Sequence, residues 1–192
     1  MSKPNEKIGL YGGSFDPIHI GHLILARDAM ERLELDRVVF LPARISPHKL
    51  DRPPASPKAR CEMLAAAIAK EPHFEMDDCE IGREGPSFTI DTIHLYREKF
   101  PEAKIYYFIG DDNLPELETW KDIDLLQELA NIVVLTRAGM PFLSKFPMIE
   151  RHIEISSTEI RNRVARGLSV RYMVPHPTYD VITKLGLYRN DR

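Results

Sequence analysis

One segment near the N-terminus holds the residues whose types and spacing are best suited to chemistry. Gly12 and Gly13 follow the apolar run Ile8 to Tyr11, and glycines let a backbone approach a phosphate closely. His19 and His22 come next, at a spacing that can place both side chains on one face of a helix. The N-terminus of such a helix offers unpaired amides to an anion. The segment therefore predicts a phosphate site at a strand-to-helix turn, with two imidazoles able to contact one phosphoryl group.

Two other interpretations of the histidine pair fit the same spacing. His19 and His22 could be solvated residues at the start of a helix, or they could begin a metal site. The chain lacks an HExxH motif, and neither Cys61 nor Cys79 is near the pair in sequence, so a dedicated zinc site is not expected. The two cysteines also lack CxxC spacing, so they predict neither a disulfide framework nor a zinc ribbon.

A second strand-to-helix turn is predicted at residues 156–161. Ser156 and Glu159 form a capping-box pattern ahead of an apolar helix face. Arg161 follows one turn into that helix, where its planar guanidinium offers a fork of donors to phosphate oxygens. Taken alone, Arg161 would more simply be a solvated surface arginine.

The elements that must position these turns alternate regularly along the chain. Apolar runs predict strands at residues 8–11, 37–41, 74–81, 104–109, 132–135 and 153–155. Helices are predicted after the glycine turn, from about Pro57, after a cap at Ser87 or Thr89, after Asp122, after Ser156 with a stop at Gly167, and from Pro177 to Gly186. The stretch from Pro42 to Pro57, rich in proline and basic residues, predicts a surface loop.

This alternation predicts the fold class. Strands that alternate with helices imply right-handed crossovers and a parallel sheet covered on both faces. We therefore expect an α/β fold, a Rossmann-like, doubly wound and mainly parallel sheet with helices on both faces, in a single domain over residues 1–192. Ligands bind such sheets outside the carboxyl ends of the strands, where the strand order reverses. The glycine turn after the first strand suits that position.

Composition narrows the classes of partner. The 26 Lys and Arg residues against 29 Asp and Glu residues give a net charge of −3, too balanced for attraction to nucleic acid or an anionic membrane to dominate. The N-terminal residues lack the apolar region of a secretory signal, and no apolar stretch is long enough to span a bilayer. We expect a cytoplasmic protein with small-molecule partners, without nucleic-acid or membrane binding, and with a homo-oligomer left open.

The string from Gly12 to His22, GGSFDPIHIGH, resembles a known family motif. It is similar to the first motif of the nucleotidylyltransferases with an HxGH signature, and in particular of the bacterial nicotinate-mononucleotide adenylyltransferases, with Ser14 where threonine is more usual. The string from Ile155 to Arg161, ISSTEIR, resembles the second motif of that family. Further segments match the nicotinate-mononucleotide branch in the same order, namely Pro47-His48-Lys49, Pro86 to Thr92, Gly110 with Asp112 to Leu114, Trp120 and Thr136-Arg137. Asp111 departs from the pattern, since the family often has a small or polar residue there.

The resemblance implies an activity. It implies that ATP transfers its adenylyl group to nicotinate mononucleotide, forming nicotinate adenine dinucleotide and pyrophosphate in NAD biosynthesis. His19 and His22 would then act at the α-phosphoryl group. The residues implied to bind ATP are Gly12, Gly13, Ser14, Phe15, Ser156, Ser157 and Arg161. Magnesium would bridge ATP oxygens and complete its shell with water, without a permanent protein cage.

The same resemblance implies an acceptor site. The residues implied to bind the mononucleotide are His48, Lys49, Thr89, Asp112, Trp120 and Arg137. His48, Lys49 and Arg137 would contact its phosphate, Asp112 the ribose hydroxyls, Trp120 the pyridine ring, and the helix start near Thr89 the nicotinate carboxylate. Simpler roles remain open for several of them: a solvated basic loop for His48 and Lys49, a helix cap for Asp112, and core packing for Trp120.

Other functions share the first motif. A nicotinamide-mononucleotide or phosphopantetheine adenylyltransferase would use the same reaction centre, and cytidylyl transfer is a more distant option. A nucleotide-binding regulatory module without catalysis is a different class of protein. Both histidines and the complete turn at residues 156–161 argue against that loss of catalysis.

Overall fold

The computed structural model describes residues 5–44, 55–83, 87–137 and 144–189, and these form one parallel sheet with flanking helices. The strands are β1 (Lys7–Gly13), β2 (Arg37–Pro42), β3 (Phe74–Met76), β4 (Lys104–Gly110), β5 (Asn131–Thr136) and β6 (Met148–Glu150). Their order across the sheet is β3-β2-β1-β4-β5-β6, and every pairing is parallel. The order reverses at β1, which lies between β2 and β4. The predicted α/β fold is therefore confirmed.

Helices cover both faces of this sheet. They are α1 (Ile20–Leu33), α2 (Pro57–Ile68), α3 (Thr89–Lys99), α4 (Ile123–Leu129), α5 (Ser157–Ala165) and α6 (His176–Lys184), with a 3₁₀ helix at Asp111–Thr119. Side chains alternate across β2, so that Val38 and Phe40 pack with α1, α2 and α6, whereas Val39 and Leu41 pack with α3 and α4. Each face of the sheet thus has its own apolar layer. None of the helices in the described part of the chain combines the length and apolarity needed to cross a bilayer.

Two strand predictions were wrong at the sheet edges. The strand predicted at residues 74–81 ends at Met76, because Asp77 then accepts the backbone N–H of Cys79 at 2.9 Å and turns the chain. The strand predicted at residues 153–155 is absent, and the edge strand is Met148–Glu150 instead. Beyond it, Ile153 still donates to the carbonyl of Arg137 at 3.1 Å, but no regular ladder continues there because β5 has ended at Thr136.

Some of the helix caps and stops predicted from sequence are confirmed, and others are wrong. Ser156 caps α5 as predicted, its Oγ accepting the backbone N–H of Glu159 at 3.1 Å. The cap predicted at Ser87 or Thr89 is wrong, because α3 begins after Phe88, whose side chain makes no capping bond. Asp122 does precede α4, but in a left-handed backbone conformation without a side-chain cap. The predicted stops at Gly167 and Gly186 both have positive φ angles, of 70° and 62°.

Candidate active site

A cavity of about 500 Å³ opens at the carboxyl ends of the three central strands. This is where the strand order reverses, the position at which open parallel sheets bind ligands. Sequence-predicted residues from three separate segments line it together: Gly12, Gly13 and Ser14 at the end of β1, Thr89 at the start of α3, and Asp112 with Trp120 after β4. Gly12, Gly13 and Ser14 of the first motif therefore share one cavity with three of the predicted acceptor residues, whereas His19 and His22 are not part of its lining.

Packing leaves little room for a side chain at the glycines of the first motif. A Cβ at Gly12 would overlap the hydroxyl oxygen of Tyr107, and one at Gly13 would lie 3.1 Å from the ring of Phe15. At Gly21, a Cβ would lie 3.2 Å from the ring of His19. The absence of a side chain at Gly21 thus leaves room for the His19 ring.

The two histidines meet at the start of α1. His19 is the N-cap residue, with an extended backbone, and His22 lies in the first turn. Their rings stack with centroids 3.7 Å apart and planes 27° from parallel. The backbone N–H of His19 donates to Nδ1 of His22 at 3.2 Å. The structure therefore brings the two rings together as expected, although His19 precedes the helix and is not part of its face.

The environment of His19 keeps its imidazole neutral. Its side chain is fully buried, and neither ring nitrogen has a hydrogen-bond partner among the described residues. Burial, followed by the positive charge of Arg137, lowers the pKa of His19 to about 3. Buried polar atoms are normally paired, so an unpaired imidazole here is a natural place for a ligand oxygen to accept a hydrogen bond.

Phe15 contributes to the site through the core. Its side chain is only 2% exposed and packs against the rings of Tyr11, His22 and Phe40. Its backbone has a positive φ of 46°, which turns the chain sharply after Ser14. Contact between Phe15 and a nucleotide is thus limited to the backbone, while the ring holds His22 from the side.

The second motif, residues 155–161, lies directly on the first. Arg161 donates to the backbone carbonyl of Asp16 at 2.7 Å, and Ser157 Oγ donates to the carbonyl of Pro17 at 2.9 Å. Ser156 is occupied by capping its own helix. Arg137 donates to the carbonyl of Ile155 at 2.8 Å and lies close enough to His19 for its charge to lower the pKa of that residue. Donors from both motifs are thereby gathered beside the histidine pair.

Only some of the acceptor residues predicted from sequence lie at the cavity. Trp120 is half-buried at the cavity wall, with its ring 79° from the plane of the Tyr107 ring at a centroid distance of 6.5 Å. Asp112 is exposed there, and its Oδ1 accepts from the side-chain amide of Asn113 at 3.1 Å. His48 and Lys49 lie outside the described residues. Arg137 lies near His19 and is not part of the cavity lining.

Three buried residues of the site were missed by the sequence analysis. Tyr107 and Glu80 line the cavity, and Arg60 donates to the carbonyl of Ser14 at 2.6 Å. Tyr107 sits within an apolar strand and gives no local signal. Glu80 and Arg60 did carry one, because a charged residue inside a predicted strand or on an apolar helix face is unusual unless it is paired.

Asp111, the residue that departs from the family pattern, has a structural contact. Its Oδ2 accepts a hydrogen bond from Oγ1 of the buried Thr136 at 2.6 Å. That contact ties the end of β5 to the start of the 3₁₀ helix. In the described part of the chain, no cluster of three or more His, Cys, Asp or Glu side chains could hold a metal ion.

Comparison with known proteins identifies the family. Residues 10–163 match the family model described as cytidylyltransferase-like. A Thermus thermophilus protein named "Probable nicotinate-nucleotide adenylyltransferase" is 44% identical over 187 residues, covering 95% of this chain and 100% of its own. A protein of the same name from Opitutus terrae is 42% identical over 191 residues, covering 95% of this chain and 98% of its own.

A solved structure has the same fold. The nicotinic acid mononucleotide adenylyltransferase of Plasmodium falciparum, complexed with NaAD, superposes with a TM-score of 0.79 at 22% identity, covering 95% of this chain and 97% of its own. At that identity the likeness shows the fold. Family membership rests instead on the two bacterial relatives and on the family model. This chain belongs to the cytidylyltransferase-like family and, within it, to the nicotinate-nucleotide adenylyltransferases.

Proposed function

We propose that the chain, as a single domain, transfers the adenylyl group of ATP to nicotinate mononucleotide and releases pyrophosphate. The observation that carries the proposal is the junction of the two motifs beside the paired histidines. Arg161 and Ser157 bond to the Asp16-Pro17 backbone, which ends two residues before His19. The adjoining cavity supplies an acceptor site lined by Thr89 and Trp120.

The reaction needs positioning more than proton transfer. An oxygen of the mononucleotide 5′-phosphate attacks the α-phosphorus of ATP, a new P–O bond forms, and the bond to the β-phosphate oxygen breaks. A phosphate monoester is already ionised near neutral pH, since its second pKa is about 6, so the nucleophile requires no base. His19 and His22 act as hydrogen-bond donors to charge that develops on the α-phosphoryl oxygens. The low pKa of His19 suits a neutral donor.

The polyphosphate of ATP lies against the second motif in this proposal. Arg161 still has guanidinium hydrogens beyond those that bond Asp16 and Thr158, and the first turn of α5 presents its amides there. Asp16 is poorly placed to ligate a cation, because its Oδ1 already accepts from Tyr188 at 2.7 Å and from the N–H of Ala55 at 3.2 Å, and its Oδ2 lies 3.8 Å from the Arg161 guanidinium. Magnesium would therefore be held by ATP phosphates and water, where it neutralises charge on the leaving pyrophosphate.

The start of α3 gives a reason to prefer nicotinate. Phe88 provides no side-chain cap, so the first amides of α3, beside the cavity, have no capping side chain among the residues that the structure describes. A nicotinate carboxylate can accept from them and is favoured by the helix dipole. The amide of nicotinamide would turn its NH₂ group toward the same donors. Trp120 offers a stacking face to either ring and does not distinguish them.

The decisive experiment is product identification with purified protein, ATP and magnesium. Nicotinate mononucleotide, nicotinamide mononucleotide and phosphopantetheine are each offered as acceptor, with CTP replacing ATP in a parallel set. We expect nicotinate adenine dinucleotide, with kcat/KM for nicotinate mononucleotide well above that for the nicotinamide form. In Trp120→Phe this ratio should persist while acceptor affinity falls. Equal kcat/KM values, or a preference for nicotinamide, would refute the acceptor; absence of any adenylyl transfer would refute the reaction.

A further inference from the structure

Arg60 is the anchor of a hydrogen-bonded chain that runs behind the cavity. Its side chain is 1% exposed, and its guanidinium donates only to backbone carbonyls among the contacts found in the described residues. Those carbonyls belong to Ser14 at 2.6 Å, Ala55 at 3.2 Å and Arg44 at 3.2 Å. A buried guanidinium with this pattern fixes loop backbones in place, because its planar fork bonds several carbonyls in a set geometry.

The chain continues from Arg44 to the start of α3. Arg44 donates to the carbonyl of Arg83 at 2.6 Å. Arg83 in turn donates to Oγ1 of Thr92 at 3.2 Å, and Thr92 donates to Oε1 of Glu80 at 2.8 Å. Thr92 is fully buried in the first turns of α3, and Glu80 is buried at the cavity wall. An unbroken series of bonds thus joins Ser14 to α3.

We propose that Arg44 is a positioning residue, the central link that sets the N-terminus of α3 relative to the Ser14 turn. Ser14 belongs to the ATP side of the cavity, and Ser87, Phe88 and Thr89 form its acceptor side. Arg44 controls the acceptor side because its only side-chain bond found in the described residues is to Arg83. The inference rests on the proposed function for what each side binds.

A matched control for Arg44 is available at the other end of β2. Arg37 begins this strand and Arg44 follows its other end, so the two arginines lie at opposite ends of the same strand. Arg37 pairs with Glu6 and Glu75, away from the cavity. Arg37→Ala therefore removes an arginine with two ionic partners without touching the proposed chain.

The first test measures acceptor binding without turnover. Trp120 is the single tryptophan and lines the cavity, so its fluorescence can report binding of nicotinate mononucleotide. Arg44→Ala should raise the Kd for this mononucleotide roughly tenfold, the usual effect of losing one hydrogen bond to a charged group. The KM for ATP should stay near the wild-type value. Arg37→Ala should leave the Kd unchanged even if its unfolding temperature falls.

The second test asks whether the bonds act as one chain. Thr92→Val removes the bridging hydroxyl with little change in shape and should raise the Kd as Arg44→Ala does, while Thr92→Ser should restore it. The double variant should bind hardly worse than either single variant, because the chain is already broken. Full additivity of the two effects, or an unchanged Kd in Arg44→Ala, would overturn the proposal.

A third measurement separates this inference from the proposed function. Amide hydrogen exchange at residues 87–92 should be faster in Arg44→Ala and unchanged in Arg37→Ala, whether or not any ligand binds. If exchange is faster in Arg44→Ala but the wild type makes no dinucleotide, the proposed function is refuted and the role of Arg44 in the series of hydrogen bonds is supported. If exchange in Arg44→Ala is unchanged while the wild type is active, the positioning role of Arg44 is refuted and the proposed function is not affected.

Discussion

Arg161 donates a hydrogen bond to the backbone carbonyl of Asp16 at 2.7 Å, although the two residues are 145 positions apart in sequence. Ser157 and Pro17, 140 positions apart, make a parallel contact at 2.9 Å. The second motif therefore supports the backbone of the first motif in addition to facing any nucleotide. Loss of either contact should disturb the turn that precedes the histidine pair.

Arg161→Lys should weaken the use of ATP while leaving the acceptor KM close to the wild-type value. Lysine keeps the positive charge but loses the fork that bonds the Asp16 carbonyl and the Thr158 hydroxyl together. We expect a rise of roughly tenfold in the KM for ATP, measured at fixed acceptor. Arg166→Ala, at the exposed end of the same helix, is the control and should behave as wild type. An unchanged ATP dependence in Arg161→Lys would remove Arg161 from the site.

His19→Ala and His22→Ala should each reduce kcat by roughly a hundredfold or more, the typical effect of removing one preorganised donor to transition-state charge. The fold should persist, as judged by circular dichroism and the unfolding midpoint. His152→Ala serves as control because that side chain is 77% exposed. Near-normal turnover in both variants would show that the stacked pair has no part in the reaction.

The stability of the protein should fall in mild acid because of His19. Its pKa is about 3 when folded and near 6.5 when unfolded, so between these values only the unfolded state binds the proton. The free energy of unfolding should therefore drop as pH falls below 6.5. Between pH 7 and pH 5 this contribution is about 2 kcal/mol. Urea denaturation at several pH values, compared with His19→Gln, checks it; parallel pH profiles for the two proteins would contradict the assignment.

Gly12→Ala should impair the enzyme, and a second substitution should repair it. The new methyl group would overlap the Tyr107 hydroxyl, a buried group that also accepts a hydrogen bond from Thr89 at 3.3 Å. In Tyr107→Phe the overlapping oxygen is gone, and the nearest ring atom lies 3.3 Å from the methyl position. Activity and unfolding midpoint should both recover in the double variant relative to Gly12→Ala. Failure to recover would mean that Gly12 is needed for ligand approach and not for packing against Tyr107.

Neither cysteine should take part in catalysis. Burial raises the pKa of Cys61, and it raises the pKa of Cys79 to about 12 with help from the nearby Asp77 carboxylate. Both thiols therefore remain protonated and poorly nucleophilic at neutral pH. Cys61→Ser, Cys79→Ser should keep wild-type kcat, and iodoacetamide at pH 7.5 should label the folded protein slowly. Loss of turnover in a folded double variant would refute this prediction.

Local patterns in the sequence determined the elements and the chemistry they carry. Strand and helix periodicities predicted the α/β alternation, and the strings at residues 12–22 and 155–161 predicted two phosphate turns, because such patterns reflect backbone preferences of neighbouring residues. The same patterns failed at the edges of the sheet. Residues 77–81 leave the sheet at the Asp77–Cys79 hydrogen bond although β2 continues to Pro42, and strand periodicity does not detect such a turn. Residues 153–155 lie beyond the end of β5 at Thr136, which no local window contains.

Only the tertiary structure decided how those pieces meet. The crossovers of the sheet bring Arg161 to Asp16, Arg60 to Ser14, and the Tyr107 hydroxyl against Gly12. The protonation state of His19 was also decided there, since its low pKa comes from burial by distant segments and from the charge of Arg137. Hydrogen bonds and electrostatic effects act through space, so residues far apart in sequence determine them once the sheet has set their distances.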